Sequence, residues 1–525
     1  MLRFVQYIRP LFGFGSAASR ICNFIKDGVN SQIMSLGALK IQQSGQAIKI
    51  FLSVLLVMLS IGLFSQELRL RKGSVLEGST LKDSILEDLA LYLPQQFSPI
   101  KTSPLLLVIG REDPVQRVRY FQGVAEQNGY IVAATGLLGD STSLTQEVLH
   151  INHVLKALFE KFPVNRSRVV VSGFGQGGQL ASLLPEILPE ITGVLLLGAV
   201  PLEEALKQRK NAPEMVVVMG RGDFGYTDLQ YLEARQPRKN KRFTALYFEG
   251  GHERPEMSIL ELSLKVLELR LSLSEQVPLD IALVHRAYSE FQDQLNAYAS
   301  AGNWILAHHT TVLCMSLFSG IHEVSDLEQK LNQLERTPAY RVQRREFNLI
   351  KYKEQQIRTD LTWNLQNDLE ILNLNNLGWW RYQMQEFKKL EKSPRKEDVM
   401  YAGRIQDYLK ALIDDYIRLA GNKEDLDNPG LLWLNMLKTI TCPEVPQAYL
   451  NVISLAYRMG DAGTALYYLE ELLRQGYNDS DALYAIPGTS LLRIQADYNR
   501  IIAKYLGTSR YIFPQANTDE VQDKF

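Results

Sequence analysis

Residues 168–184 read RVVVSGFGQGGQLASLL, and this stretch decides the fold. Arg168–Ser172 contains a β-branched apolar run of the kind that a parallel sheet buries on both faces. Gly173-Phe174-Gly175-Gln176-Gly177 then turns the chain, and a helical pattern starts directly after it. Glycine accumulates at such a turn because strand, helix and turn backbone approach closely there.

Working outward, the same alternation recurs. Strands are expected at Leu105–Ile109, Tyr130–Ala134, Arg168–Ser172, Gly193–Leu197, Met215–Met219 and Phe243–Phe248. Helical stretches are expected near 114–127, 143–161, 177–186, 226–235 and 255–271. Strands alternating with helices of this length imply an α/β fold, a doubly wound, mostly parallel sheet covered on both faces. After about residue 278 the pattern turns helical, with Pro278 near the boundary and Trp379 and Trp380 expected between helices. The chain divides into an N-terminal extension (1–65), an α/β domain (66–277), an all-α helical-repeat part beginning with a helical region (278–440), and a C-terminal hairpin and tail (441–525).

The turn at 173–177 resembles the G-x-S-x-G nucleophile elbow of the α/β-hydrolase superfamily, with Gly175 where that motif has serine. The lead-in LYLPQQFSPIKTSPLLLVIG (91–110) and the helix before the elbow are similar to its feruloyl-esterase, polyhydroxybutyrate-depolymerase and dienelactone-hydrolase-like branch. The resemblance implies a triad in the order nucleophile, acid, histidine. Asp223, in MVVVMGRGDFGY, follows a strand where the acid is expected, and His252, in FTALYFEGGHERP, follows the next strand where the base is expected. Gly110 and Gln176 fall where backbone donors of an oxyanion hole are expected, although the histidine that often accompanies the first is absent and Arg111-Glu112 stands there instead. Taken singly, Asp223 reads as a turn or cap residue and His252 as a solvated loop residue. In order, each at a strand's C-terminal end, they read as a site.

Acyl transfer needs an Oγ whose proton the histidine can take, and Gly175 has none. Ser172, three residues back on the strand, is displaced beyond the ~3 Å reach of proton transfer. Glycine at the elbow also relieves a backbone strain that costs an ordinary residue about 1–3 kcal/mol. The leading expectation is therefore a non-catalytic binding protein. The alternative is a slow, serine-independent ester hydrolase working through water, His252 and Asp223. A third reading is a membrane-anchored assembly factor acting through its helices.

Residues 50–64, IFLSVLLVMLSIGLF, form an apolar run short of the ~20 residues of a spanning helix and suited to a signal peptide cleaved after Ser65. The 49 residues in front are long for such a signal, and a start at Met34 would shorten them; an uncleaved anchor and a buried helix remain open. Six bases against one acid give residues 1–65 a charge of +5, which leaves −6 on the rest of a chain whose net charge is −1. An exported protein, periplasmic or membrane-anchored, follows from the first two readings. No basic block suggests nucleic acid. Cys22, Cys314 and Cys442 lack metal-site spacing, and His150/His153 and His308-His309 have no companion ligands, so neither metal nor cofactor is expected. GFGQGG lacks the Lys-Ser/Thr of a P-loop, although an anion or small ester could rest on its backbone N–H groups. The runs 238–242 and 341–345 read as solvated basic faces.

Residues 447–506, with the run AYLNVISLAYRMGDAGTALYYLEELLRQGY, resemble a tetratricopeptide-type hairpin, with Ala456, Tyr457, Gly460, Asp461 and Ala465 around its turn; a generic αα-hairpin has the same spacing. The resemblance implies a helical surface that could bind a protein partner or a cell-envelope component.

Overall fold

The computed structural model describes residues 71–77, 88–137, 142–207, 212–237, 241–274, 277–421 and 428–511. The expectation of an export signal at 50–64 lies outside these. No described helix is long and apolar enough to cross a membrane.

The chain builds one eight-stranded sheet from β1 (Val75–Glu77), β2 (Leu89–Tyr92), β3 (Ser103–Gly110), β4 (Ile131–Gly136), β5 (Val164–Phe174), β6 (Gly193–Leu197), β7 (Glu214–Gly220) and β8 (Thr244–Phe248). Their spatial order is β1-β2-β4-β3-β5-β6-β7-β8. The pairs β1–β2 and β2–β4 are antiparallel, and every pair from β4 through β3 to β8 is parallel. Each of the six expected strands is present. β1 and β2 are additional: at three and four residues they carry too little pattern to be read alone.

The helices of the sheet domain are α1 (Pro114–Asn128), α2 (Leu144–Lys161), α3 (Gln176–Ile187), α4 (Tyr226–Ala234) and α5 (Met257–Leu273). Their starts are written locally. Asp113 caps α1 with Pro114 in its first turn, and Ser143 and Gln146 form a reciprocal capping box at α2. Arg117 of α1 is buried near the C-terminal ends of β3 and β4, where Nη1 donates to Val108 O and Thr135 O at 3.0 and 2.8 Å. Burial lowers its pKa to about 10.

Beyond residue 278 the described chain is helical: α6 (Ile281–Ser300), α7 (Trp304–Phe318), α8 (Ser325–Arg336), α9 (Pro338–Ile371), α10 (Leu377–Leu390), α11 (Lys396–Gly421), α12 (Pro429–Thr441), α13 (Pro446–Arg458) and α14 (Ala462–Arg474), then α15 (Ser480–Ala485), α16 (Ser490–Arg493) and α17 (Ala496–Leu506). The sheet core continues through α6 and α7 to Phe347 of α9. A second core joins α9 to α12, and a third begins at Tyr449. The expectation for the tryptophans needs a correction: Trp380 is buried, donating from Nε1 to Asp368 Oδ2 at 2.8 Å, whereas Trp379 is only partly buried. Adjacent helical residues point about 100° apart, so one core seldom takes both fully.

Candidate functional site

The turn after β5 is tight enough to dictate its residues. A Cβ on Gly173 would lie 2.4 Å from the Gly177 carbonyl carbon, and one on Gly177 would lie 2.5 Å from Ile109 O, contacts backbone atoms cannot relieve. Gly175 differs. It has φ 53° and ψ −119°, a conformation that strains an ordinary residue, yet there is room for a side chain. The nearest atom to a Cβ there is His252 Nε2, at 3.6 Å. Its N–H donates to Leu197 O at 3.0 Å, and its C=O accepts from Gln179 N at 3.0 Å, which fixes the turn between β6 and α3.

Asp223 lies just past β7 and is buried. Its Oδ1 accepts from Gly225 N and its Oδ2 bonds His252 Nδ1, both at 2.7 Å. His252, just past β8, is held between Phe174 and Phe224, with ring centroids 4.8 and 4.7 Å away. The ring is thus fixed through Nδ1 and two aromatic contacts, with Nε2 toward Gly175. Ser172 is no substitute nucleophile: it is fully buried and donates to Leu195 O at 2.8 Å.

Gly175, Gln176, Asp223 and His252 meet at one cavity of about 430 Å³. Gly110 is not among its lining residues; it sits behind the elbow, where a Cβ on Gly177 would lie 3.1 Å from its Cα. Sequence reasoning missed the opposite wall. Asp407, Tyr408, Lys410, Asp414 and Asp415, all on α11, line it. Burial raises the Asp407 pKa and the nearby Asp223 charge adds to this, while His252 and Lys410 act the other way. Nothing local marks these residues, which belong to an amphipathic helix more than 150 positions beyond His252.

α11 is held in place by a buried ionic cluster. Glu354 of α9, fully buried, accepts at Oε2 from Arg404 Nε and Nη2 at 2.9 and 2.7 Å. Its Oε1 accepts from Arg358 Nη2 at 2.6 Å and from Thr227 Oγ1 at 3.0 Å. Arg404 Nη1 donates to Arg221 O at 2.9 Å, Arg358 Nη2 donates to Phe224 O, and Arg221 pairs with Glu397. Glu397, Arg404 and Ala411 recur every seven residues, so one face of α11 meets the loop 221–224 and continues into the cavity wall.

Of the other histidines, His150 bonds Thr135 Oγ1 at 2.9 Å, His308 bonds Glu335 at 3.1 Å and His309 bonds Glu233 at 3.3 Å. Among the described residues, no group of three or more side chains is placed to hold a metal ion.

The sheet order is that of an α/β-hydrolase-like fold, followed by a predominantly helical region. No protein-family model matches the chain. No curated protein matches it either. Among solved structures, it is similar to the fluorophosphonate-binding serine hydrolase F of Staphylococcus aureus, at 16% identity and TM-score 0.28 over 35% of this chain and 91% of that one. Est1E from Butyrivibrio proteoclasticus matches at 14% identity and TM-score 0.26, over 36% and 94%. Esterase B from Lactobacillus rhamnosis matches at 17% identity and TM-score 0.32, over 45% and 98%. The fold assignment rests on this chain's own topology.

Proposed function

We propose that this is an exported α/β-hydrolase-like protein that binds a ligand over Gly175 without turning it over, and that its C-terminal helices dock a protein partner or a cell-envelope component. The observation that carries this reading is the bare Cα of Gly175 at the elbow, with a 3.6 Å gap to His252 Nε2 for any Cβ placed there. Covalent acyl transfer needs a nucleophilic side chain at that point. A small ester or an anion suits the space, since His252 Nε2 and the start of α3 both face it. Export rests on the run 50–64. The α13–α14 hairpin, turning at Gly460-Asp461, supports the tetratricopeptide-like reading.

The test is hydrolysis of short acyl esters by the parent chain, Gly175→Ser and His252→Ala. A silent parent beside an active Gly175→Ser supports a binding site with its chemistry removed. A second reading, hydrolysis by a water that His252 activates, draws on the 2.7 Å Asp223–His252 bond. It requires turnover in the parent that His252→Ala abolishes, and that result would overturn the first reading. Cell fractionation, with the chain found only in the cytosol, would overturn export.

A further inference from the structure

Away from this cavity, α8 and α9 meet at a corner that forms a second groove of about 480 Å³. Arg336 ends α8, and Arg341, Arg344 and Arg345 lie in the first turns of α9; all four are exposed and line the groove. Its floor is Tyr340, buried and stacked on His308 at 5.0 Å and 12°. Glu335, the carboxylate in the lining, is bonded to His308 Nε2 at 3.1 Å. Among the described residues, none of the four arginines forms an ion pair with a carboxylate. Arg344 instead lies 5.9 Å over the Tyr340 ring, and Arg341 Nε donates to Glu335 O at 3.1 Å.

Electrostatically, this arrangement is uphill. Arg341 and Arg345 stand four residues apart, a like-charge spacing that destabilises an isolated helix by about 0.2–0.5 kcal/mol. The first turn of α9 holds no acidic residue to offset them. A solvated basic face has no need to be concave, or to place four guanidinium groups around one space. We propose that this groove is a binding site for a phosphate ester. Its doubly charged oxygens accept from paired N–H groups of adjacent guanidinium forks, and Tyr340, covered by His308 and Arg344, closes the bottom of the groove.

Phosphate chemistry is common to a soluble ligand and to a lipid headgroup, and two assays separate them. Inorganic pyrophosphate is titrated calorimetrically into the full chain, and flotation is measured with phosphatidylcholine vesicles with and without phosphatidic acid. Both are repeated on Arg341→Gln/Arg345→Gln and on Arg341→Lys/Arg345→Lys, exposed positions whose folding is checked by circular dichroism. Pyrophosphate binding that weakens about tenfold or more in both variants supports a free phosphate ligand. Flotation that requires phosphatidic acid and is lost in both supports a lipid phosphate. No binding in either assay, or binding unchanged by the glutamine pair, overturns the site. Binding fully retained by the lysine pair also overturns it, because a diffuse positive field then accounts for everything.

Discussion

Asp223 and His252 come from loops after neighbouring strands, and Oδ2 of one lies 2.7 Å from Nδ1 of the other. That bond sets the imidazole tautomer and leaves Nε2 directed at the elbow, the side on which a base acts. The geometry facing Gly175 is thus fixed by this pair and by the turn itself.

The first prediction concerns Gly175→Ser. At φ 53° a serine costs about 1–3 kcal/mol of stability, readable as a lower urea midpoint. Its Cβ meets no clash, and its Oγ falls within reach of His252 Nε2. Short-ester hydrolysis should rise about 10²-fold or more above the parent and return to the parent level in Gly175→Ser/His252→Ala.

A second prediction follows from the buried cluster. Glu354→Gln leaves buried Arg404 without its carboxylate and Arg358 with Asp228 alone. Removing one partner of such a set costs about 3–5 kcal/mol, and chemical denaturation should show a loss of that order. Because Arg404 and Arg358 also hold carbonyls of the loop 221–224, the variant should lose ligand binding at the cavity in step with this junction.

Much of the sheet is legible from residues because its strands are fully buried and read as unbroken apolar runs; LLLVI in β3 and VVVM in β7 need no partner to be recognised. The elbow is legible because Gly173 and Gly177 answer to backbone contacts only glycine tolerates. Asp223 and His252 stand out only through chain order. The far wall is invisible for the opposite reason. Asp407, Lys410 and Asp414 look like the polar face of any helix, and what makes them a wall is the Glu354–Arg404 pairing between distant segments. β2 is hidden likewise, since LALY becomes a strand only through its antiparallel register with β4.

Acid should loosen the junction of sheet and helices through Glu249. Burial alone would raise its pKa, but hydrogen bonds from Lys396 and Asn303 and the Arg221 charge outweigh this and lower it from 4.5. A carboxylate with a depressed folded-state value contributes stability above its unfolded value and loses it as pH falls through the folded one. Glu249→Gln should therefore lower stability at pH 7 by no more than about 1 kcal/mol for a pair this exposed, read as a lower melting temperature, and converge on the parent below the Glu249 titration. A difference that persists unchanged in strong acid would refute this origin.

The cysteines give the last prediction. Cys314 and Cys442 are both free and each is 2% exposed, the first on α7 in the sheet core and the second just after α12. Burial, with a contribution from Asp326, pushes the Cys314 thiol to about 12, and burial raises Cys442 as well. The thiolate is the reactive form, so neither should react at pH 8 while the chain is folded. In Cys22→Ser, a colorimetric thiol reagent should show no fast phase in native buffer and both thiols after denaturation in guanidinium. Glu354→Gln should then hasten the slow phase of Cys442, which caps the α12 helix packed on α11, more than that of Cys314 in the sheet core. Equal acceleration of both would mean that the chain opens as one unit rather than at the junction.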